Sequence, residues 1–525
     1  MSGLDGLSRD ELIEHARGLQ ARLAGLTVEY ADLAAAHEQL TGAHEQLRAE
    51  HADLAAAHEQ LRAEHTDLAA RLAKLEHLLS RNSGNSSLPP SGDDDPGRTP
   101  PQGKGRATPK RAKGKQKGAP GAWLAWSPTP DARTDRYPVG VCGCGQDLTG
   151  GRDLGVVDSF QQIELPEVRA SITQYDQHAV TCGCGKVHTA ARPAGAGTAK
   201  VEYGPHLAAW AVYLMVVHHV PVHRARQVLT ALTGAEPSVG FVHGLLARAA
   251  RVLHAAHQRI RALITAVRVL VMDETPLRVG SKTPRPGRKK ADKYLLIATS
   301  RWYTHFLVGD RDLATFKASV LADVAAGTVV VHDRYTVYDH ATFAQISHQL
   351  CTAHLLRDLE SAAQTYPEAI WPAQIADALR KLIHTANLAR DAGADQIDPD
   401  TAHRLRMLIR HAVMTGLAAT TGHGTRPGEA KARALLEVFD QRRGDILRFA
   451  GDLSVPPTSN DAERGLRPSK LQQKISGRLV SIARTEDRYR IAGYLATAAQ
   501  HGHDQFTVLT DAFRGTIWMP DAAVP

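Results

Sequence analysis

Leucine recurs at every seventh position at Leu12, Leu19, Leu26, Leu33, Leu40, Leu47, Leu54, Leu61, Leu68 and Leu75, in a segment without proline. Ten leucines in register predict a coiled coil over residues 1–80. With the leucines at d, the a positions read Ala16, Leu23, Tyr30, His37, His44, His51, His58, His65, Leu72 and Leu79. The other register would bury Glu50 and Glu64 beside Ala36, Ala43 and Ala57, which is worse. Five consecutive histidine layers have two readings. They are tolerated semi-polar residues that weaken the seam, or they make association loosen as pH falls through roughly 6.5.

The pattern stops after Ser80. Asn82-Ser83-Gly84-Asn85-Ser86-Ser87-Leu88-Pro89-Pro90-Ser91 opens a proline- and glycine-rich stretch to Gly121, which predicts a linker over 81–121. Its cations Arg98, Lys104, Arg106, Lys110, Arg111, Lys113, Lys115 and Lys117 have no acid among them. The segment reads as a disordered basic arm that grips phosphates, or as a merely solvated tether. Residues 122–197 predict short strands, such as Val168 to Tyr175, around Cys142-Gly143-Cys144-Gly145 and Cys182-Gly183-Cys184-Gly185. Paired thiolates suit tetrahedral structural zinc in a zinc-ribbon-like module, although one residue rather than two separates each pair. His188 is an alternative ligand, and four reduced, unliganded cysteines are the alternative state.

Residues 198–262 turn helical. Pro221 opens a helix through Leu232, residues 233–237 make a turn, and Ser238 caps a helix through Leu253. That outline fits a helix-turn-helix with Arg248 and Arg251 toward phosphate, or an ordinary helical hairpin beneath a core. From Val267 the period changes to strands. Val267–Met272 ends on Asp273-Glu274-Thr275, Lys293–Ser300 and Tyr303–Val308 form a hairpin near Arg301, and Thr328–His332 ends on Asp333. Residues 366–452 carry helical spacing with few strand signals.

Composition narrows the class. The 525 residues are 43% hydrophobic but only 5% aromatic, favouring several helix-rich modules. Lys plus Arg outnumber Asp plus Glu by 63 to 55, which permits a polyanionic partner. The absence of a long apolar run or a signal-peptide core argues for a soluble cytoplasmic protein without a membrane partner. The expected fold class is a multidomain, α-rich α/β chain. Its expected divisions are 1–80, 81–121, 122–197, 198–262, a core in two parts at 263–365 and 453–525, and a helical insertion at 366–452.

The chemistry gathers on acids. Two aspartates at strand ends suggest a site at one sheet edge, and Pro456-Pro457-Thr458-Ser459-Asn460-Asp461-Ala462-Glu463 starts a helix carrying Arg464, Arg467, Lys470 and Lys474. Two-metal phosphoryl transfer needs clustered carboxylates holding cations about 4 Å apart, with basic residues around them to receive DNA. Asn460-Asp461-Ala462-Glu463-Arg464-Gly465-Leu466-Arg467-Pro468 through Lys474-Ile475-Ser476-Gly477 resembles the glutamate motif of the IS66 family of bacterial insertion-sequence transposases. Asp273-Glu274-Thr275, Val331-His332-Asp333 and Cys351-Thr352-Ala353-His354-Leu355-Leu356-Arg357 match the same family, as does the order of coil, linker and cysteine module. Arg478 departs from it, standing where a second glycine is usual.

The resemblance implies an RNase H-like mixed-sheet core with a DDE triad of Asp273, Asp333 and Glu463 holding two magnesium or manganese ions. It implies His354 and Arg357 as supporting residues. It further implies double-stranded DNA, both element ends and target, as partner, and small accessory proteins of the same element. The cations Arg464, Arg467, Lys470, Lys474, Lys110, Arg111 and Lys113 are the expected phosphate contacts, the coil is expected to join protomers, and a bacterial, nucleoid-associated location follows. The rivals are an RNase H-fold nuclease without strand transfer and a catalytically silent DNA-binding regulator.

Overall fold

The computed structural model describes residues 6, 8–80, 124–193, 196–284, 292–420 and 429–522. The linker and basic arm expected over 81–121, with Lys110, Arg111 and Lys113, lie outside the described residues. By packing the chain divides into two units, Met1–Pro101 with Gly416–Leu435, and Gln102–Thr415 with Leu436–Pro525. The first contains α1 (Arg9–Ser80), one unbroken helix of 72 residues, about 108 Å long at 1.5 Å per residue. A reciprocal cap starts it: the Ser8 N–H and hydroxyl donate to Glu11 at 2.8 and 2.9 Å, and the Glu11 N–H donates back at 3.4 Å.

In the second unit the cysteine segment is almost wholly exposed. Its strands are short, β1 (Ala179–Thr181) and β2 (Val187–Thr189), paired antiparallel. The strand expected at Val168–Tyr175 does not form: that stretch has no ladder partner, and Ile172 is 99% exposed. An apolar run without a neighbour or a buried face gains nothing from pleating.

Four helices follow: α2 (Pro205–Val216), α3 (Val222–Thr233), α4 (Val239–Val252) and α5 (His254–Ile264). The expected cap is present, Ser238 Oγ accepting from the Phe241 N–H at 3.1 Å. Residues Val242, Leu245, Leu246, Ala249 and Ala250 are all buried, so α4 packs into the core as one wall of a helical layer with α2 and the late helix Ile482–Gln500. Arg248 lies over the Phe513 ring at 5.8 Å, while Arg251 is exposed. A buried apolar face on α4 is common to both the helix-turn-helix and the plain hairpin expected from the sequence.

The central sheet is mixed. Strands β3 (Val269–Leu277), β4 (Lys293–Thr299) and β5 (Thr304–Gly309) form an antiparallel meander, followed by a short helix α6 (Leu313–Ala318). Strands β6 (Val329–His332) and β7 (Ser347–Leu350) then add parallel to β3, giving the order β5-β4-β3-β6-β7. The rest is helical: α7 (Thr352–Thr365), α8 (Trp371–Asp391), α9 (Pro399–Ala419), α10 (Glu429–Gln441), α11 (Arg443–Leu447), α12 (Asn460–Ser476), α13 (Ile482–Gln500) and α14 (Gln505–Phe513). Among the described residues of 366–452 there is no strand, as the helical spacing predicts.

Alternation along β3 sorts the two faces. Leu270 and Met272, with Leu296 and Ala298 of β4 and Val330 of β6, join the core formed with α2, α4, α5, α13 and α14. Val271, Asp273 and Ile297 point the other way, where α12 crosses β3 and β4. Among the described residues no helix is long and apolar enough to cross a membrane.

Buried histidines give this unit a pH signature. His305 on β5 is 5% exposed and stacks on His257 of α5 with ring centroids 4.9 Å apart. Burial, then the neighbouring His257 and Arg261, holds His305 down to about 3. Burial, then Arg490, holds His257 to about 4. The unfolded chain therefore binds more protons below about pH 6.5, and stability present above that pH is lost as pH falls toward these native values. At about pH 5 each such histidine costs roughly 2 kcal/mol. Thermal melts should fall between about pH 7 and pH 5, and His305→Phe should flatten that slope; identical slopes for the two proteins would contradict the assignment.

Candidate functional site

Strand β6 stops at His332 and pairs β3 only as far as Val271, whereas β3 runs on to Leu277 against β4. Asp273 thus lies within its strand rather than at the end expected from sequence, on a stretch with no ladder partner on the β6 side. Asp333 follows the last residue of β6. Backbone donors orient both carboxylates: the Glu274 N–H reaches Asp273 Oδ1 at 2.8 Å, and the Tyr335 N–H reaches Asp333 Oδ1 at 2.8 Å.

Glu463 arrives from far along the chain, in the first turn of α12. Two features set its position. The loop before α12 is tied to the start of α7, because the Thr352 N–H and hydroxyl donate to Pro457 O at 3.0 and 2.8 Å, and the Ser459 N–H donates to Cys351 Sγ at 3.3 Å. The helix then presses on the sheet at Gly465, where an added Cβ would lie 2.4 Å from Ile297 Cδ1. Ala462, Leu466, Ser469 and Gln472 are buried on that side. Arg464, Arg467, Lys470 and Lys474 are exposed on the other side, Arg464 pairing with Asp461 at 3.2 Å. After the helix, Arg478 ties the returning chain to Val279 O at 3.4 Å, Ser281 O at 3.3 Å and Asp292.

Asp273 feels the other two carboxylates. Asp273 is pushed up to about 6, chiefly by burial, partly offset by the Glu274 N–H and then raised by Asp333 and, more weakly, Glu463. Cations share the neighbourhood. Arg357 Nη2 stands 3.9 Å from Glu463 Oε1, one turn along α7 from His354. Burial works against charge on His354, but Cys351 and Asp333 outweigh it and lift the imidazole to about 9. Its Nδ1 is buried without a hydrogen-bond partner among the described residues.

Two residues that sequence reasoning did not select complete the surroundings. Glu274 points to the opposite face from Asp273; burial first, then Asp333, push its carboxyl up to about 8 despite Arg311 beside it. Arg311 reaches Glu274 Oε1 at 2.7 Å and Asp333 Oδ2 at 3.5 Å, with its guanidinium 3.9 Å from the Tyr335 ring centroid. The Tyr338 hydroxyl donates to Glu274 Oε2 at 3.3 Å. Nothing in the run Asp310-Arg311-Asp312 marks the arginine out; only the fold brings it to the two acids.

Among the described residues no group of three or more His, Cys, Asp or Glu side chains stands at metal-ligating range. Hard carboxylate oxygens on Asp273, Asp333 and Glu463 are nonetheless the donor type a magnesium or manganese ion takes, and the repulsion Asp273 meets from the other two is what a cation would relieve. The cysteines form two knuckles of the same geometry. Cys142 N–H donates to Gln146 O and Gly145 N–H to Cys142 O, each at 2.8 Å; Cys182 N–H donates to Lys186 O and Gly185 N–H to Cys182 O at the same distance. Gly145 and Gly185 take positive φ of 92° and 84°, which favours glycine there. In each knuckle the N–H of the second cysteine, Cys144 or Cys184, holds the first thiol below its usual range. His188 sits on β2 opposite Val180.

A family model described as Transposase IS66 family matches residues 200–486 of the chain. A second, described as a family of unknown function, DUF6444, matches residues 34–124. No curated protein matches.

The Gly465 contact carries its own test. Gly465→Ala gains about 1 kcal/mol of helix propensity, yet should lower the melting temperature, because overpacking costs about 1–3 kcal/mol. Ile297→Val removes the opposing Cδ1 and should restore stability in the double variant. A stabilised Gly465→Ala protein would show that α12 does not press on β4 at this point.

Proposed function

The chain belongs to the IS66 family of transposases, and we propose that it cuts the ends of an insertion sequence and joins them to target DNA with a DDE triad of Asp273, Asp333 and Glu463. The observation that carries this reading is that buried Asp273 within β3 feels both Asp333, just after β6, and Glu463, on α12, all inside the matched span.

These three residues would hold a pair of magnesium or manganese ions, which when bound supply charge neutralisation and Lewis acidity at a phosphodiester. The chain's own residues do the remainder. Arg357 and His354 keep Glu463 and Asp333 in a cationic setting, and Arg311 fixes Asp333 from the other side. Arg464, Arg467, Lys470 and Lys474 present a basic stripe to the DNA backbone. The first reaction joins water to phosphorus and breaks the bond to a 3′ oxygen at the element end. The freed 3′-hydroxyl then attacks a target phosphodiester, so one phosphodiester replaces another and no covalent protein intermediate is needed.

The two knuckles would hold a structural zinc through Cys142, Cys144, Cys182 and Cys184. Their preformed thiol pairs and the nearly coreless segment around them both favour that role. Small accessory proteins of the same element would complete the machinery.

A joining assay with element ends and a target plasmid tests the catalytic reading. Asp273→Asn, Asp333→Asn and Glu463→Gln should each lower joined products by at least about 100-fold without loss of fold by circular dichroism. Joining at the wild-type level by any of the three would overturn the triad. Cut ends that are never joined would leave a nuclease instead.

A further inference from the structure

Helix α1 carries an apolar stripe of heptad leucines, and all of them are exposed. Every described residue of α1 is exposed, and its heptad leucines range from 39% at Leu12 to 70% at Leu54. We propose that α1 pairs along its length with a second copy of itself, parallel and in register, and that its histidine layers make this pairing conditional on uncharged imidazoles.

The occupant follows from the repeat. A stripe repeating every seven residues falls slightly short of two straight helical turns, so it stays on one face only when the helix supercoils around another of the same period. Helix α1 keeps that period from Leu12 to Leu75 without interruption. Each leucine has roughly 100 Å² to bury, so two copies would cover about 2,000 Å², the size of a stable protein interface.

The orientation follows from the flanks. In a parallel pair each g residue faces the e residue five positions on in the partner. Here Arg71 would face Glu76, an attractive pair, while Arg22 meets Thr27, Glu29 meets Ala34, Glu50 meets Ala55 and Glu64 meets Ala69. Ala43 and Ala57 face Arg48 and Arg62, so no like charges oppose one another.

Parallel register also makes every a layer a facing pair, so His37, His44, His51, His58 and His65 each meet their own counterpart between leucine layers. Around His37, His44 and His58 the g neighbours are Ala36, Ala43 and Ala57, and nothing offsets a second positive charge. Glu50 and Glu64 flank His51 and His65 and offset part of theirs, while Arg48 and Arg62, beside the adjoining leucine layers, oppose it. Protonation places two cations in a seam closed to water, so the paired state binds fewer protons and association strengthens as pH rises. In an antiparallel pair each histidine would face a leucine instead, and the direct repulsion would vanish.

Sedimentation equilibrium of the full chain with chelator, at about pH 7.5 and about pH 5.8, tests this, near-ultraviolet circular dichroism confirming that the fold persists at both. Self-association should weaken at least about tenfold at the lower pH. Replacing His37, His44, His51, His58 and His65 together by leucine should abolish the response while preserving association. A wild-type chain that stays monomeric, associates equally at both pH values, or keeps its response in the fivefold variant would overturn the proposal. Spin-labelled side chains at Glu14 should lie within about 40 Å of each other in the parallel pair, whereas a fully overlapped antiparallel pair separates them by more than about 80 Å. The readout is mass and distance, so an inactive chain that still pairs, or an active one that does not, separates this proposal from the phosphoryl-transfer reading.

Discussion

A buried carboxylate beside other acids is costly to charge, and Asp273, inside the central strand β3, is buried and feels both Asp333 and Glu463. That constraint organises the core of this molecule. Asp273 shows the strain directly, its carboxyl lifted to about 6 by burial and by its acidic neighbours. Compensation comes from separate parts of the chain: Arg311 after β5, and His354 and Arg357 on α7. The proposed cation site rests on this balance of charge, and α12 adds the exposed Arg464, Arg467, Lys470 and Lys474.

The helices that deliver these groups are fixed by small, local devices. The ties between Thr352, Cys351 and the Pro457–Ser459 loop hold the starts of α7 and α12 together. Gly465 lets α12 lie against Ile297, and buried Gln349 bonds to Ile446 O and the Phe449 N–H at 3.0 and 2.9 Å, tying the end of the insertion back to β7. Glu463 is therefore placed by contacts on either side of a long insertion, and the length of that insertion need not disturb it.

Much of this was legible in the sequence. The helix under the heptad leucines, the Ser238 cap, the β4–β5 hairpin and the helices of 366–452 each follow from a local period or cap that tertiary packing did not override. The proposed acids are singled out only by the ordered resemblance, since strand-end aspartates and helix glutamates are common. What escaped was non-local. Asp273 sits within β3 because β4 outlasts β6, Arg311 meets Glu274 and Asp333 only in the folded sheet, and Val168–Tyr175 found no strand to pair with. No pattern confined to one segment encodes such pairings.

The most direct test of the central claim asks whether the three acids share one cation site. Iron(II) placed in a magnesium position, with ascorbate and peroxide, cuts the nearest peptide bonds of the protein that holds it. The expected result is cleavage near Asp273, Asp333 and Glu463 together, suppressed by excess magnesium and by Asp333→Asn. Cleavage confined to one of these segments, or unchanged by that substitution, would contradict it.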